Sequence, residues 1–303
     1  MEKYNKIPER WQSSRGSGIC VAVIDTGYSN HIDLTKNVIQ KCSVIPMENG
    51  FDNYNGHGNM CMGIIAANQK YDYGVTGIAP EAKIVSIKAA EKDGAVSYDI
   101  LTQAIYLSAS LGADIVSISI GGKQYNTGLE LAVQFCYDRN IPIVASAGND
   151  GHHLDKNLIS YPGRFKDTIC VGSIDDNKEI SWFSTAGPEI DFVAVGERVR
   201  STHLNDSYKI DSGTSYSAPY IAGIIALLLS KHRAQEKVTG ENDCKTVDEI
   251  KEHLRKHTMD LGDIGKDNKY GNGVIKIDTL INNGIKPKSL IARLVGYIKS
   301  FFG

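Results

Sequence analysis

A chain of 303 residues lies near the upper end of what one hydrophobic core can serve, so one domain with an appendage is expected rather than two equal ones. With 42% hydrophobic residues, 22% charged residues and 30 glycines, it is an ordinary globular protein rich in tight turns, neither disordered nor collagenous. The formal net charge of -2 supplies no global basic field, which argues against nucleic acid as a partner, and no apolar run is long enough to span a bilayer.

The first residues, 1–8, lack the apolar core and small-residue cleavage site of a secretory signal, so the chain reads as cytoplasmic. A first apolar, β-branched run over residues 19–24 leads into Asp25-Thr26-Gly27, which fixes a carboxylate at the carboxyl end of a strand. Gly56-His57-Gly58 then opens a helix-like segment over 59–68, and its glycines let backbone pack close to the imidazole. Further strand-like runs fall at 84–87, 115–120, 141–145 and 169–171, with helix-period stretches at 98–111 and 128–139 between them. That alternation predicts an α/β fold with a doubly wound, mostly parallel sheet and helices on both faces, with the chemistry at the carboxyl ends of the strands.

A later helix opens at Thr214 and is apolar on nearly every face through residues 222–229, so it belongs in the middle of the domain. Its first turn holds Gly213-Thr214-Ser215, where the helix dipole favours negative charge beside the serine oxygen. After a polar stretch at 237–245, the capping box Thr246-Val247-Asp248-Glu249 starts another helix. Beyond residue 286, Leu290, Ile291, Leu294, Val295, Ile298, Phe301 and Phe302 recur at helical spacing, while Lys288, Arg293 and Lys299 add positive charge alone. A basic amphipathic C-terminal helix over 286–303 follows, suited to a membrane surface, to a partner or to the protein's own core.

The six cysteines, Cys20, Cys42, Cys61, Cys136, Cys170 and Cys244, show neither the spacing of a zinc site nor that of a redox pair. Cys20 and Cys170 sit in apolar strand-like runs, and the expectation is six reduced thiols in a reducing compartment.

Taken singly, Asp25, His57 and Ser215 are weak signals: a cap, a structural histidine and a helix start. In the order Asp, His, Ser they define one class of serine hydrolase. On Asp25-Thr26-Gly27, Gly56-His57-Gly58 and Gly213-Thr214-Ser215 the chain resembles the subtilisin-like serine proteases, above all their intracellular and leader-peptide-processing bacterial members. Ser119-Ile120-Gly121-Gly122, Ala147-Gly148-Asn149-Asp150-Gly151, Gly77-Ile78-Ala79-Pro80 and Ser160-Tyr161-Pro162-Gly163 match further family segments in order.

The resemblance implies a serine endopeptidase occupying residues 1–285, acting on protein or peptide substrates and requiring no cofactor. Ser215 would be the nucleophile, His57 the general base, Asp25 the residue that orients it, and Asn149 an oxyanion donor beside the Ser215 N–H, with Thr214 assisting. Ser119, Gly121, Ala147 and Ser160 would wall the first specificity pocket. Asp150 would stand at its rim, either favouring a basic residue or simply solvated. Residues 88–96, around Gly94, would offer an edge strand for an extended substrate. Residues 68–75 take the place of a calcium loop in many relatives, with Asp33 as a distal ligand; Lys70 is unhelpful there, and Ca2+ is admitted without being required.

Three departures stand out. Asn59-Met60 replaces the usual Thr-His after the His-Gly pair, and Cys61 follows, either as a thiol beneath the imidazole that confers mercurial sensitivity or as a buried spacer. Tyr216 and Tyr220 stand where methionine and histidine are common, which predicts slower inactivation by peroxide than in a Tyr216→Met variant. Asp25 arrives too early for an N-terminal pro-region, so the chain either folds unaided or has lost a pro-segment. This plan suits intracellular degradation or processing, with dedicated leader-peptide maturation as the alternative. A degenerate peptide-binding scaffold is disfavoured because Asp25, His57, Ser215 and Asn149 are all present.

Overall fold

The computed structural model describes residues 13–48, 54–91, 94–153 and 156–282. The amphipathic segment expected over 286–303 lies outside the described residues. In chain order the elements are β1 (Cys20–Asp25), β2 (Val38–Ser43), α1 (His57–Ala66), β3 (Lys83–Lys88), α2 (Tyr98–Ser110), β4 (Ile115–Ile118), α3 (Thr127–Tyr137), β5 (Ile143–Ser146), β6 (Thr168–Ile174) and β7 (Ile190–Val195). They continue with β8 (Val199–Thr202), β9 (Tyr208–Asp211), α4 (Thr214–Thr239), α5 (Val247–Lys256), β10 (Thr258–Met259), β11 (Val274–Ile275) and α6 (Ile277–Asn282).

Nine strands form one sheet in the order β10-β11-β7-β6-β5-β4-β1-β3-β2, parallel throughout except for the β10–β11 pair; β8 and β9 form a separate antiparallel pair. The pleat of β1 explains how one strand serves two cores. Val21 and Val23 point into the layer made by α1 and α4, while Ala22 and Ile24 face α2 and α3. Because both faces are covered, β1 is buried at every position but its first, and it reads in sequence as an unbroken apolar run. Helix α4 passes through the middle of the first layer, with Ile221 to Leu228 almost wholly removed from water.

The chain reverses its direction of growth at β1, which has β3 on one side and β4 on the other. A crevice at the carboxyl ends of these strands follows from that reversal. Asp25 closes β1 and Lys88 closes β3, while residues 119–122 leave β4 there. Two expectations shift. Strand β4 stops at Ile118, because the next residues turn to pair with the Tyr161 segment through an isolated bridge at Gly122. The edge strand expected over 88–96 ends at Lys88: Gly94 N donates to Glu91 O and Glu91 N to Ala95 O, so Gly94, at φ +87°, sits in a turn and not in a ladder.

Candidate active site

The end of β1 delivers Asp25 with 1% exposure. Asp25 Oδ1 accepts from Thr26 N at 2.7 Å and lies 2.7 Å from His57 Nδ1. Thr26 Oγ1 in turn accepts from Gly58 N at 3.1 Å, which ties the end of the strand to the first turn of α1. His57 is the first residue of that helix; its own N–H is capped by Asn55 Oδ1 at 2.9 Å. Gly56 supplies the left-handed turn at φ +76°, and a Cβ there would meet His203 Nε2 at 2.2 Å, so any other residue would be strained and would displace that ring.

Ser215 is the second residue of α4, half-buried, with its N–H among those at a helix start that have no intrahelical acceptor. Its hydroxyl donates to Ser119 O at 3.2 Å. Pro219, four residues on, has no N–H to give to the Ser215 carbonyl. That carbonyl is served instead by Ser119 Oγ at 2.8 Å and by Cys61 Sγ at 3.5 Å. Cys61 Sγ also lies 3.8 Å from His57 Nδ1, and the Tyr216 ring stands 5.6 Å from the imidazole, so the three segments pack as one unit. Cys61 is fully buried beneath the imidazole, as the spacer reading expects, and burial pushes its thiol up. The Tyr216 hydroxyl donates to Asp211 Oδ2 at 3.1 Å, which fixes the ring beside His57.

Asn149 follows β5. Its Oδ1 accepts from Thr214 N and from Thr214 Oγ1, each at 3.0 Å, which assigns the oxygen end of the amide to the helix start. A Cβ at Gly213 would lie 3.5 Å from Asn149 Nδ2 and 3.8 Å from Ser215 N, so the amide nitrogen and that N–H flank one point. Thr214 thus aims the amide through both its N–H and its hydroxyl.

The segments expected to form a pocket do converge. Ser160 N donates to Ala147 O at 2.9 Å, and Gly122 and Tyr161 exchange backbone bonds at 3.1 and 2.7 Å. At Gly121 a Cβ would meet Tyr161 O at 2.0 Å, so that wall has room only for glycine. Sequence reasoning missed Lys123. Its ammonium pairs with Asp150 Oδ2 and also reaches Ser160 Oγ at 3.0 Å and Leu158 O at 2.6 Å. Asp150, expected at the pocket rim, is a partnered carboxylate whose charge Lys123 meets within the chain. No signal in the linear sequence pairs positions 123 and 150. A separate cavity of about 290 Å³ lies between Ile64, Ile78, Arg198 and Tyr220 and touches none of Asp25, His57 and Ser215.

The loop considered for calcium is held by the chain's own donors. Asp33 Oδ1 accepts from Lys70 N at 2.7 Å, and Oδ2 from Val75 N at 3.0 Å and the Tyr208 hydroxyl at 2.8 Å. Loop carbonyls are engaged as well: Gln69 Nε2 donates to Tyr71 O and Asp72 O, and Arg200 donates to Gly74 O at 3.2 Å and Tyr73 O at 2.7 Å. Calcium needs six to eight oxygens free to converge, so this donor set does not fit it as arranged, and the guanidinium bridges the loop instead. All six cysteines are thiols, and no described helix is long and apolar enough to cross a membrane.

Comparison with known proteins gives a consistent result. The pattern described as the subtilase family matches residues 16–273. The chain is 34% identical over 272 residues to the minor extracellular protease Epr of Bacillus subtilis, covering 89% of this chain and 40% of Epr. It is 34% identical over 246 residues to thermitase of Thermoactinomyces vulgaris, covering 81% of this chain and 86% of thermitase. It is also 36% identical over 276 residues to an intracellular serine protease of Paenibacillus polymyxa, covering 89% of this chain and 82% of that protein. The chain thus spans less than half of Epr and most of the other two.

Proposed function

The chain belongs to the subtilase family and is a serine endopeptidase, and on that premise we propose that Ser215 is its nucleophile, His57 its general base, Asp25 the residue that orients the base, and Asn149 with the Ser215 N–H its oxyanion donors. The observation that carries the assignment is the 2.7 Å bond from buried Asp25 to His57, beside the helix start that presents Ser215. In this reading His57 Nε2 takes the Ser215 proton as Oγ bonds to the peptide carbonyl carbon. The carbonyl oxygen then carries negative charge, which Asn149 Nδ2 and the Ser215 N–H stabilise. The imidazolium returns the proton to the departing amine, leaving an acyl-enzyme for water to hydrolyse. No organic cofactor enters any step.

Labelling with a fluorophosphonate tests the assignment. One adduct on Ser215, absent in Ser215→Ala, is expected; a folded protein that takes no adduct would return the chain to the reading of a peptide-binding scaffold.

The same reading takes residues 1–285 as the peptidase unit and 286–303 as a docking segment, and gives the enzyme an intracellular degradative or processing role. Six thiols without a disulfide and the likeness to an intracellular protease support that role, against the likeness to an extracellular one. Immunodetection in cytosol and medium of the producing cells decides the location. A peptide-library digest separates broad turnover, which gives many cleavage sites, from leader-peptide maturation, which gives very few.

A further inference from the structure

At the end of α4 remote from Ser215, three side chains from three segments meet. His232 comes from the last third of α4, Cys244 from the connection after it, and His253 from α5. One ligand atom from each, two imidazole nitrogens and the Cys244 sulfur, all lie within 4.8 Å of one another. Two of the three are buried, His232 at 6% exposure and Cys244 at 2%, while His253 is 22% exposed and Asp243 beside them 70%; the two imidazole centroids are 5.0 Å apart. Asp243 adds a carboxylate, with Oδ1 2.8 Å from His232 Nδ1 and Oδ2 3.5 Å from His253 Nε2.

The decisive detail is that His232 Nδ1, although buried and that close to a carboxylate, makes no hydrogen bond. A buried polar atom without a partner costs free energy, and native proteins rarely leave one. A nitrogen and an oxygen side by side but not aligned with each other are arranged as two ligands facing a common centre. His253 fits the same picture. Its Nε2 lies 3.0 Å from the Asp243 backbone oxygen, which fixes the ring beside the other two side chains.

The geometry points to a structural site for one zinc-class divalent cation, bound by His232, Cys244 and His253 with Asp243 as the fourth ligand. Two imidazoles, a thiolate and a carboxylate are the donor set of tetrahedral zinc. Ligand atoms around such an ion sit roughly 3.3 to 3.8 Å apart, so the group has to draw in by about 1 Å. On binding, the Cys244 S–H bond breaks, its proton goes to solvent and the sulfur–metal bond forms. The ion would clamp the end of α4 to α5 and to the connection between them. Hydrolysis would not involve it directly, since Ser215 lies about 25 Å away along the helix. Linear spacing hides this site, because a histidine 12 residues before the cysteine and another 9 after it match no short zinc motif.

Cobalt substitution tests the site. The full chain carrying Ser215→Ala, to prevent self-cleavage, is stripped of metal and titrated with Co2+. One Co2+ per chain is expected, with a near-ultraviolet thiolate-to-cobalt band and strong visible bands of tetrahedral cobalt, all displaced by Zn2+. Zn2+ at about 100 times its Kd should raise the melting midpoint by on the order of 5 °C. Cys244→Ser should abolish the thiolate band, and His253→Gln should weaken binding by about tenfold or more. Because His253 is less buried, the second variant keeps the test valid if the first does not fold. The inference is overturned if folded protein gives no thiolate band. It is also overturned if the band survives in Cys244→Ser and disappears in Cys61→Ser, which would put the metal on Asp25, His57 and Cys61.

Discussion

Burial by itself would lower the His57 pKa, but the Asp25 carboxylate 2.7 Å away outweighs it and holds the imidazolium well above the ordinary histidine value. Asp25 feels the same contest: burial pushes it up, while His57 and the Thr26 N–H pull it below the usual carboxylate range. A general base must be neutral to accept a proton, so activity is lost as pH falls through the raised His57 value. The acid limb of kcat/KM should accordingly have its midpoint above 6.5, the unperturbed histidine value, and Asp25→Asn should move that limb down while lowering kcat by about 10⁴. A pH–rate profile on a chromogenic peptide reads both effects. Asn149→Ala should lower kcat about 100- to 1,000-fold with little change in KM, the loss known for the equivalent donor of a subtilisin. At the pocket rim, Lys123→Ala leaves Asp150 without its ion pair. Because both groups are about 40% exposed, the gain for a basic over an apolar residue before the cut should be modest, about two- to fivefold in kcat/KM.

Helix α4 combines two demands that its sequence displays separately. Its apolar body is buried, and its first turn presents half-buried Ser215, whose carbonyl Pro219 leaves to Ser119 and Cys61. The capping box of α5 was legible in sequence and forms fully, with Thr246 Oγ1 accepting from Glu249 N at 3.2 Å and Glu249 Oε2 accepting from Thr246 N at 2.9 Å. Strand β7 was not anticipated, because Asp191 interrupts its apolar run; that carboxylate is 8% exposed and accepts from Cys170 N at 3.1 Å on the neighbouring strand. The loop at 68–76 is bridged by Arg200, whose guanidinium also stacks 4.5 Å from the Tyr208 ring. Arg200→Ala should cost about 2 kcal/mol in urea unfolding, and added Ca2+ should not restore the loss. Recovery in calcium would show that the loop can turn its carbonyls to a cation after all.

Over the whole molecule, one sheet separates two apolar layers, and α4 fills the larger. Leu228 is completely buried there, so Leu228→Ala should destabilise the fold by about 3 kcal/mol, measured by urea unfolding in a Ser215→Ala background to avoid autolysis. Labelling of Ser215 in the otherwise native Leu228→Ala enzyme should persist below its melting point, since the site is built at the helix start, about 20 Å from Leu228 along the axis. The alternation of short apolar runs with helical periods was enough to determine the doubly wound sheet, because burial on both faces leaves an unmistakable pattern in composition. The order of Asp25, His57 and Ser215 was likewise readable, since each sits in a short motif whose glycines and helix start are local necessities. The tertiary structure alone decided what depends on pairs remote in sequence: Lys123 against Asp150, Arg200 across the loop at 68–76, and His232 with Cys244 and His253. Such partners are chosen by how the layers pack, and a linear pattern carries no record of a contact that only the folded backbone brings within a few ångströms.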